Sequence, residues 1–341
     1  MRILHVAHQQ WRNYGDTRVS WAQKLYHGLI RCGYQVRAFS DRDTAAFLAP
    51  LGIRQLGEKA ANRALLQTVE AFQPDLVIIG HCPSISNHTL EAIRQRSPAV
   101  RIIACNNDPL FVPENAARIA QRCAVADAVF VSTGAPELGR FTGQRARLWH
   151  MPNPVDPAVE SADCSTTSDF THDLLFCSKS NDLTERGALV ASVRDALGTE
   201  LRFHTPGSFG VPGVWGRHYD ATLAQSKMGL NLNRQEGLHW YASARMAQMG
   251  GNGLLLFTHV GARFDSLFPA ESLVYFRSPD ELIGEIRRFH RDDALRRHYA
   301  ANTRHFFHTE MNIDLYARYI VEASMGQPWS HPYAWLEHAS A

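Results

Sequence analysis

Residues 230–257, LNLNRQEGLHWYASARMAQMGGNGLLLF, decide the fold. They predict an apolar strand, a polar loop, a short helix, a glycine break and a second apolar strand. Loop and helix carry Arg234, Glu236, His239, Tyr241, Ser243, Arg245 and Gln248. Folding alone gives little reason to gather so many polar groups between two buried strands. In a parallel α/β sheet a ligand sits at the carboxyl ends of the strands, beside helix N-termini. A helix N-terminus offers free N–H groups and partial positive charge, which suits a phosphate. Arg245, in the first turn, is then a two-pronged phosphate donor; the alternative is a solvated helix residue. The glycines at 250, 251 and 253 and the apolar run 254–257 require a tight return to the sheet, which favours a site.

Outward from this stretch the chain alternates strand and helix. Strands are predicted at 2–7, 35–39, 75–80, 101–104, 128–132 and 147–150, with helices at 19–31, 62–72, 89–96, 115–124 and 136–141. Repeated βα units with short connections mean a doubly wound sheet. MPNPVDP at 151–157 breaks the pattern, because three prolines in seven residues fit neither helix nor central strand. A second series follows: strands at 173–177, 201–204 and 228–232, helices at 186–197 and 219–226. The last helix is 315–324. The expected organisation is α/β with two Rossmann-like doubly wound domains. These are an N-terminal domain at 1–150, a linker at 151–157, a second domain at 158–314, and a C-terminal helix and tail at 315–341.

Composition agrees. A chain of 341 residues is long for one core and suits two domains. Apolar residues make up 45%, which is globular. A net charge of +2 makes no case for nucleic acid. No two of the six cysteines stand as Cys-x-x-Cys, which argues against a metal site or a disulfide framework. Reduced thiols point to the cytoplasm. MRILHVAHQQ reads as a buried strand and not as a signal peptide. No apolar run approaches the ~20 residues that span a bilayer.

The decisive stretch resembles the C-terminal half of the group 1 glycosyltransferases, especially the CgeB-like (spore maturation) branch. The resemblance rests on Leu230-Asn231-Leu232-Asn233-Arg234, Ser243-Ala244-Arg245-Met246-Ala247-Gln248 and Gly250-Gly251-Asn252-Gly253. It continues through Leu267-Phe268, the strand at 273–276, the capping phrase Ser278-Pro279-Asp280-Glu281-Leu282 and Arg296-Arg297. It covers most of residues 150–325 well and the first domain weakly. It implies the GT-B architecture: two domains facing a cleft, with the C-terminal helix crossing back to the first. Gln248 stands where the family has a Glu that holds the donor ribose. A Gln still donates and accepts but carries no charge.

The resemblance also implies roles. Lys179, Arg186, Arg234, Ser243, Arg245 and Gln248 are donor and phosphate candidates. Gly207, Ser208 and Phe209 form a turn for the nucleotide base, where Phe209 is a stacking or a core residue. His81, Asp108 and Asp16 are the catalytic candidates. His81 ends a strand and is either a sugar contact or a structural histidine. Asp108 is a base for the acceptor hydroxyl or a turn cap before Pro109. Arg12, Gly15, Arg18 and Ser132 are acceptor or sugar candidates, and Trp11, Trp215, Trp240 and Trp329 offer indoles to sugar faces. Side chains and helix dipoles stand in for a metal, so neither metal nor cofactor is expected.

The expected activity is transfer of a sugar from a nucleotide-activated donor to a glycan, lipid-linked or other hydroxyl acceptor. The expected localisation is cytoplasmic, with peripheral association to the inner membrane face through the acceptor. An inverting reaction needs a base such as Asp108, Asp16 or His81, and a retaining one does not. An epimerase or phosphorylase-like enzyme on the same scaffold is an alternative, as is a non-catalytic glycan- or nucleotide-binding protein.

Overall fold

A computed structural model describes residues 1–15, 17–178 and 184–336. Asp16 and Lys179 lie outside the described residues. The chain divides into two compact units, one made of Met1–Tyr14, Ser20–Pro152 and the residues from Ile313 onward, the other of Gly15–Val19 and Asn153–Asn312.

The first unit is a parallel six-stranded sheet. Its strands are β1 (Arg2–Val6), β2 (Gln35–Phe39), β3 (Leu76–Ile79), β4 (Arg101–Asn106), β5 (Ala128–Val131) and β6 (Arg147–His150), in the order β2-β1-β3-β4-β5-β6. Leu4 pairs with Arg37 on one side and Val77 on the other. Strands β3 and β5 (LVII and AVFV) are buried throughout, as a sheet covered on both faces requires.

Helix α1 (Trp21–Arg31) begins with a capping box: Ser20 Oγ accepts from Gln23 N–H, and Ser20 N–H donates to Gln23 Oε1. Helix α11 (Ile313–Met325) packs against it. A side chain at Gly28 would meet the Ile313 carbonyl at 2.8 Å, so glycine permits this contact. The Tyr319 hydroxyl donates to the His150 carbonyl at 2.8 Å, and Arg31 pairs with Asp314 at 2.8 Å. The C-terminal helix is therefore part of the first unit.

Helices α4 (Asn87–Arg96) and α5 (Pro113–Cys123) lie near their expected places. The region between β2 and β3 differs more. It holds helix α2 (Asp41–Phe47), a 3-10 turn at Pro50–Gly52, and helix α3 (Arg54–Phe72), which starts eight positions before the predicted 62. Helix α2 buries Asp41 and Asp43 beside its alanines, so it shows no apolar stripe to read. Gly57 weakens the helical signal of α3, yet any side chain there would collide with the Ala45 carbonyl.

The second unit is a parallel five-stranded sheet in the order β11-β10-β9-β7-β8. Its elements are β7 (His172–Leu175), α6 (Glu185–Leu197), β8 (Phe203–His204), α7 (Gly216–Ala224), β9 (Ser226–Asn231), α8 (Ala244–Gly251), β10 (Leu255–His259), β11 (Val274–Phe276), α9 (Pro279–Arg291) and α10 (Asp293–Thr309). Leu174 pairs with Met228, and Leu256 with Gly229. Phe176, Leu230, Phe257 and Phe289 are among its fully buried core. Strand order reverses between β7 and β9, and a crevice opens at such a point beyond the carboxyl ends.

Candidate functional site

The carboxyl ends of β7 and β9 carry a cluster of arginines. Arg245, two residues past the α8 N-cap Ser243, donates through Nη1 to the Cys177 carbonyl at 2.8 Å and through Nη2 to the Leu232 carbonyl at 2.9 Å. It thereby ties the two strand ends together. Arg186, in the first turn of α6, reaches the same Leu232 carbonyl at 3.5 Å and Ser178 Oγ at 3.1 Å. Both guanidiniums lie over the Phe176 ring, at 5.6 and 5.7 Å. Burial, with Arg245 and Arg234 nearby, pulls Arg186 down to about 10, and burial also lowers Arg245. Both remain charged at neutral pH, in each other's field.

Beside them opens a pocket of about 240 Å³ lined by Arg186, Arg234, Glu236, His259, Arg277 and Ser278, among others. Its loop is fixed from within. Glu236 Oε1 accepts the Asn233 N–H at 2.9 Å, and Asn233 Nδ2 donates to the Tyr241 carbonyl at 3.0 Å. Trp240 N–H donates to Ala262, and its indole donates to Arg263. Three arginines against Glu185 and Glu236 leave the lining net positive. The Ser243 hydroxyl, at the N-terminus of α8, is buried with no hydrogen-bond partner.

Several expectations change here. Arg245 spends a donor of each terminal nitrogen on a carbonyl, so it offers an anion its charge more than a two-pronged grip. Gln248 Oε1 accepts from the Tyr219 hydroxyl at 2.8 Å, which commits its carbonyl end. Ser208 is buried and donates to the Ser178 carbonyl at 3.2 Å, and Gly207 closes a turn onto Val211. Phe209 packs against the core with Arg194 over its ring at 4.6 Å, which is the core role. Arg18 pairs with Glu160 at 2.8 Å and Asp220 at 2.7 Å and covers the Tyr219 ring, so its charge is spent within the protein. Trp240 is buried and offers no open face.

In the first unit His81 and Asp108 come together. His81 follows β3, Asp108 follows β4, and His81 Nδ1 lies 2.6 Å from Asp108 Oδ2. The His81 bond, with Arg118 beside it, lowers the Asp108 pKa despite partial burial. Asp108 N–H donates to Asn106 Oδ1 at 2.8 Å, so Asn106 caps this turn while the Asp108 carboxylate faces His81 and Arg118. A proton on Nδ1 shared with Asp108 leaves Nε2 as the basic nitrogen. Arg118 Nη1 stands 3.3 Å from Nδ1 and 3.4 Å from Nε2 of the ring. A small cavity of about 20 Å³ adjoins His81, Asn106 and Arg118.

The other first-unit candidates do not join this pair. Arg12 lies over the Phe47 ring at 5.7 Å. Ser132 follows β5 but is buried, its hydroxyl without a partner. Gly15, which belongs to the second unit, has φ of 84° and is exposed. The first unit also holds an Asp-x-Asp at 41–43. Both carboxylates are buried, and Asp43 accepts from Trp11 N–H and Ser40. Among the described residues no three His, Cys, Asp or Glu gather to hold a metal.

Sequence reasoning missed Arg118, Tyr219, His259 and Arg277. His259 and Arg277 had a findable signal, since one ends β10 and the other follows β11, the positions at which a ligand is expected. Arg118 had none, because it reaches His81 from inside a helix.

Residues 186–322, less than half of the chain, match the family described as glycosyl transferase-like. No curated protein matches the chain. Among solved structures it is similar to a sucrose-phosphate synthase from Thermosynechococcus elongatus, with 11% identity over 95% of this chain and 98% of that one and a TM-score of 0.65. It is similar to a glycosyltransferase from Rickettsia africae, with 9% identity over 95% and 98% and a TM-score of 0.60. It is also similar to Anabaena HepE, solved in complex with UDP-glucose, with 12% identity over 96% and 100% and a TM-score of 0.60. These likenesses are of fold: two parallel-sheet α/β units of the GT-B glycosyltransferase architecture.

Proposed function

We propose that this chain is a glycosyltransferase using a nucleotide-activated sugar. The supporting observation is the convergence of Arg186 and Arg245 on one carbonyl oxygen at the strand reversal, beside a net positive pocket. Like charges held together at partly buried positions are relieved by an anion. A donor diphosphate supplies one, and Arg186 and Arg234 are its direct partners. During transfer the bond from the sugar anomeric carbon to the diphosphate breaks, and the negative charge grows on the departing phosphate. Fixed guanidiniums then stabilise that charge in place of a metal ion. The acceptor oxygen bonds to the anomeric carbon and gives up its proton, and an inverting reaction needs a base for that proton; His81, oriented by Asp108, is the candidate base of the first unit. The finer placement in the CgeB-like branch rests on the phrases at 230–234, 243–248 and 250–253 and their continuation.

HepE was solved with UDP-glucose, so uridine diphosphate is the first ligand to try. Saturation at about a hundred times Kd adds ~2.7 kcal/mol of stability. A rise in Tm with UDP, GDP or ADP, and release of that nucleotide from its sugar conjugate, are expected. No shift with any of them, and no release from any conjugate, would overturn the reading.

A further inference from the structure

Exposed apolar side chains of the first unit gather where α2, the following turn and the start of α3 meet residues 11–14. Leu51 is 95% exposed, Phe47 and Leu56 are each 61% exposed, and Trp11, Leu48 and Ile53 are exposed beside them. Contiguous apolar surface of this kind on a globular protein marks an interaction site. The elements are held together: Trp11 N–H donates to Asp43 Oδ2 at 2.9 Å, and Arg12 lies over Phe47 and beside Gly52. Leu51 sits at the tip with φ of 56°, the left-handed region that leucine rarely adopts. The backbone thus holds an aliphatic side chain outward at a conformational cost.

Charge selects the occupant. Asp41 and Asp43 are buried. The exposed charges at this face are Arg12 and Lys59, with Arg54 and Glu58 half-buried, so the surround is net positive. Aliphatic and aromatic tips ringed by cations match the headgroup boundary of an anionic bilayer. No helix among the described residues is long and apolar enough to cross a membrane.

We propose that this face docks onto the surface of an anionic membrane, with Leu51, Phe47 and Leu56 entering the headgroup boundary and Arg12 at the lipid phosphates. The proposal does not depend on the transfer reaction.

The test is co-sedimentation with phosphatidylcholine vesicles with and without phosphatidylglycerol. The protein should bind the anionic vesicles and lose binding on the neutral ones or in high salt. The double variant Leu51→Asn and Leu56→Gln should weaken binding about tenfold or more. Asn suits the left-handed position and both sites are exposed, so folding, checked by circular dichroism, is retained. Arg12→Glu should weaken binding to anionic vesicles. Absence of binding by the parent protein, or equal binding by the double variant, overturns the proposal. So does a parent protein that self-associates without lipid, becomes monomeric in the double variant and ignores vesicles, because the face then belongs to a second copy of the chain.

Discussion

Arg186 and Arg245 share one acceptor, the carbonyl oxygen of Leu232, at 3.5 and 2.9 Å. The two side chains nevertheless stand in different relations to the fold. Arg245 satisfies two strand-end carbonyls with short bonds, whereas Arg186 reaches Ser178 Oγ at 3.1 Å and lines the pocket.

Replacing each with Ala separates these roles. Arg186→Ala should lower UDP affinity at least tenfold, about 1.4 kcal/mol, with little change in the urea midpoint. Arg245→Ala should lower affinity and also cost roughly 1–3 kcal/mol of stability, because the Cys177 and Leu232 carbonyls lose their donors. Titration calorimetry and urea unfolding read both. Equal stability in the two variants would remove the structural role assigned to Arg245.

The His81–Asp108 pair is tested by splitting binding from turnover. His81→Gln keeps a hydrogen-bonding side chain but no base, so turnover should fall by about two orders of magnitude or more, with nucleotide affinity unchanged. Asp108→Asn should act in the same direction, because the imidazole loses the partner that holds its tautomer. A parallel loss of nucleotide affinity in His81→Gln would make it a binding residue.

The fold was legible because both sheets are written in apolar runs bounded by glycine, proline and polar loops. Residues 76–79 and 255–257 admit little but buried parallel strand. Polar positions that follow strand ends were legible, as at His81, Asp108 and Arg234. Pairing was not legible. Nothing in sequence says that Arg18 meets Glu160 and Asp220, or that Gln248 meets Tyr219, since these partners are separated by long stretches of chain. Helix α2 was hidden for a related reason, since its inward face is built from acids and alanines.

Arg18 leads to a stability prediction. Glu160 is fully buried, and its carboxylate holds both Arg18 at 2.8 Å and the Asp156 N–H at 2.9 Å. Removing the guanidinium takes a charge-assisted partner from a buried carboxylate. Arg18→Ala should cost about 3 kcal/mol in urea unfolding, and the added change Glu160→Gln should recover part of it. A loss under about 0.5 kcal/mol would return Arg18 to the surface residues open to an acceptor.

His5 sets an acid limit on stability. It lies in β1, fully buried, with Nδ1 near Gln9 Nε2 at 3.4 Å and Nε2 unpartnered. Burial lowers its pKa from 6.5 to about 4. Between those values the unfolded chain binds a proton that the folded chain refuses. Stability therefore falls as pH drops from 6.5 toward 4, and this group takes nothing further below that. The full effect is at most roughly 3 kcal/mol. His172, half-buried and stacked on His204 at 4.1 Å, is lowered too and adds a smaller share. His5→Asn removes the titrating ring while keeping a small polar group. Its unfolding free energy should decline less steeply between pH 7 and about 4 than that of the parent protein. The His5 ring resonance should show no titration above about pH 5. A ring that titrates near 6.5 in the folded protein, or identical pH slopes in the two proteins, would rule His5 out as the group responsible.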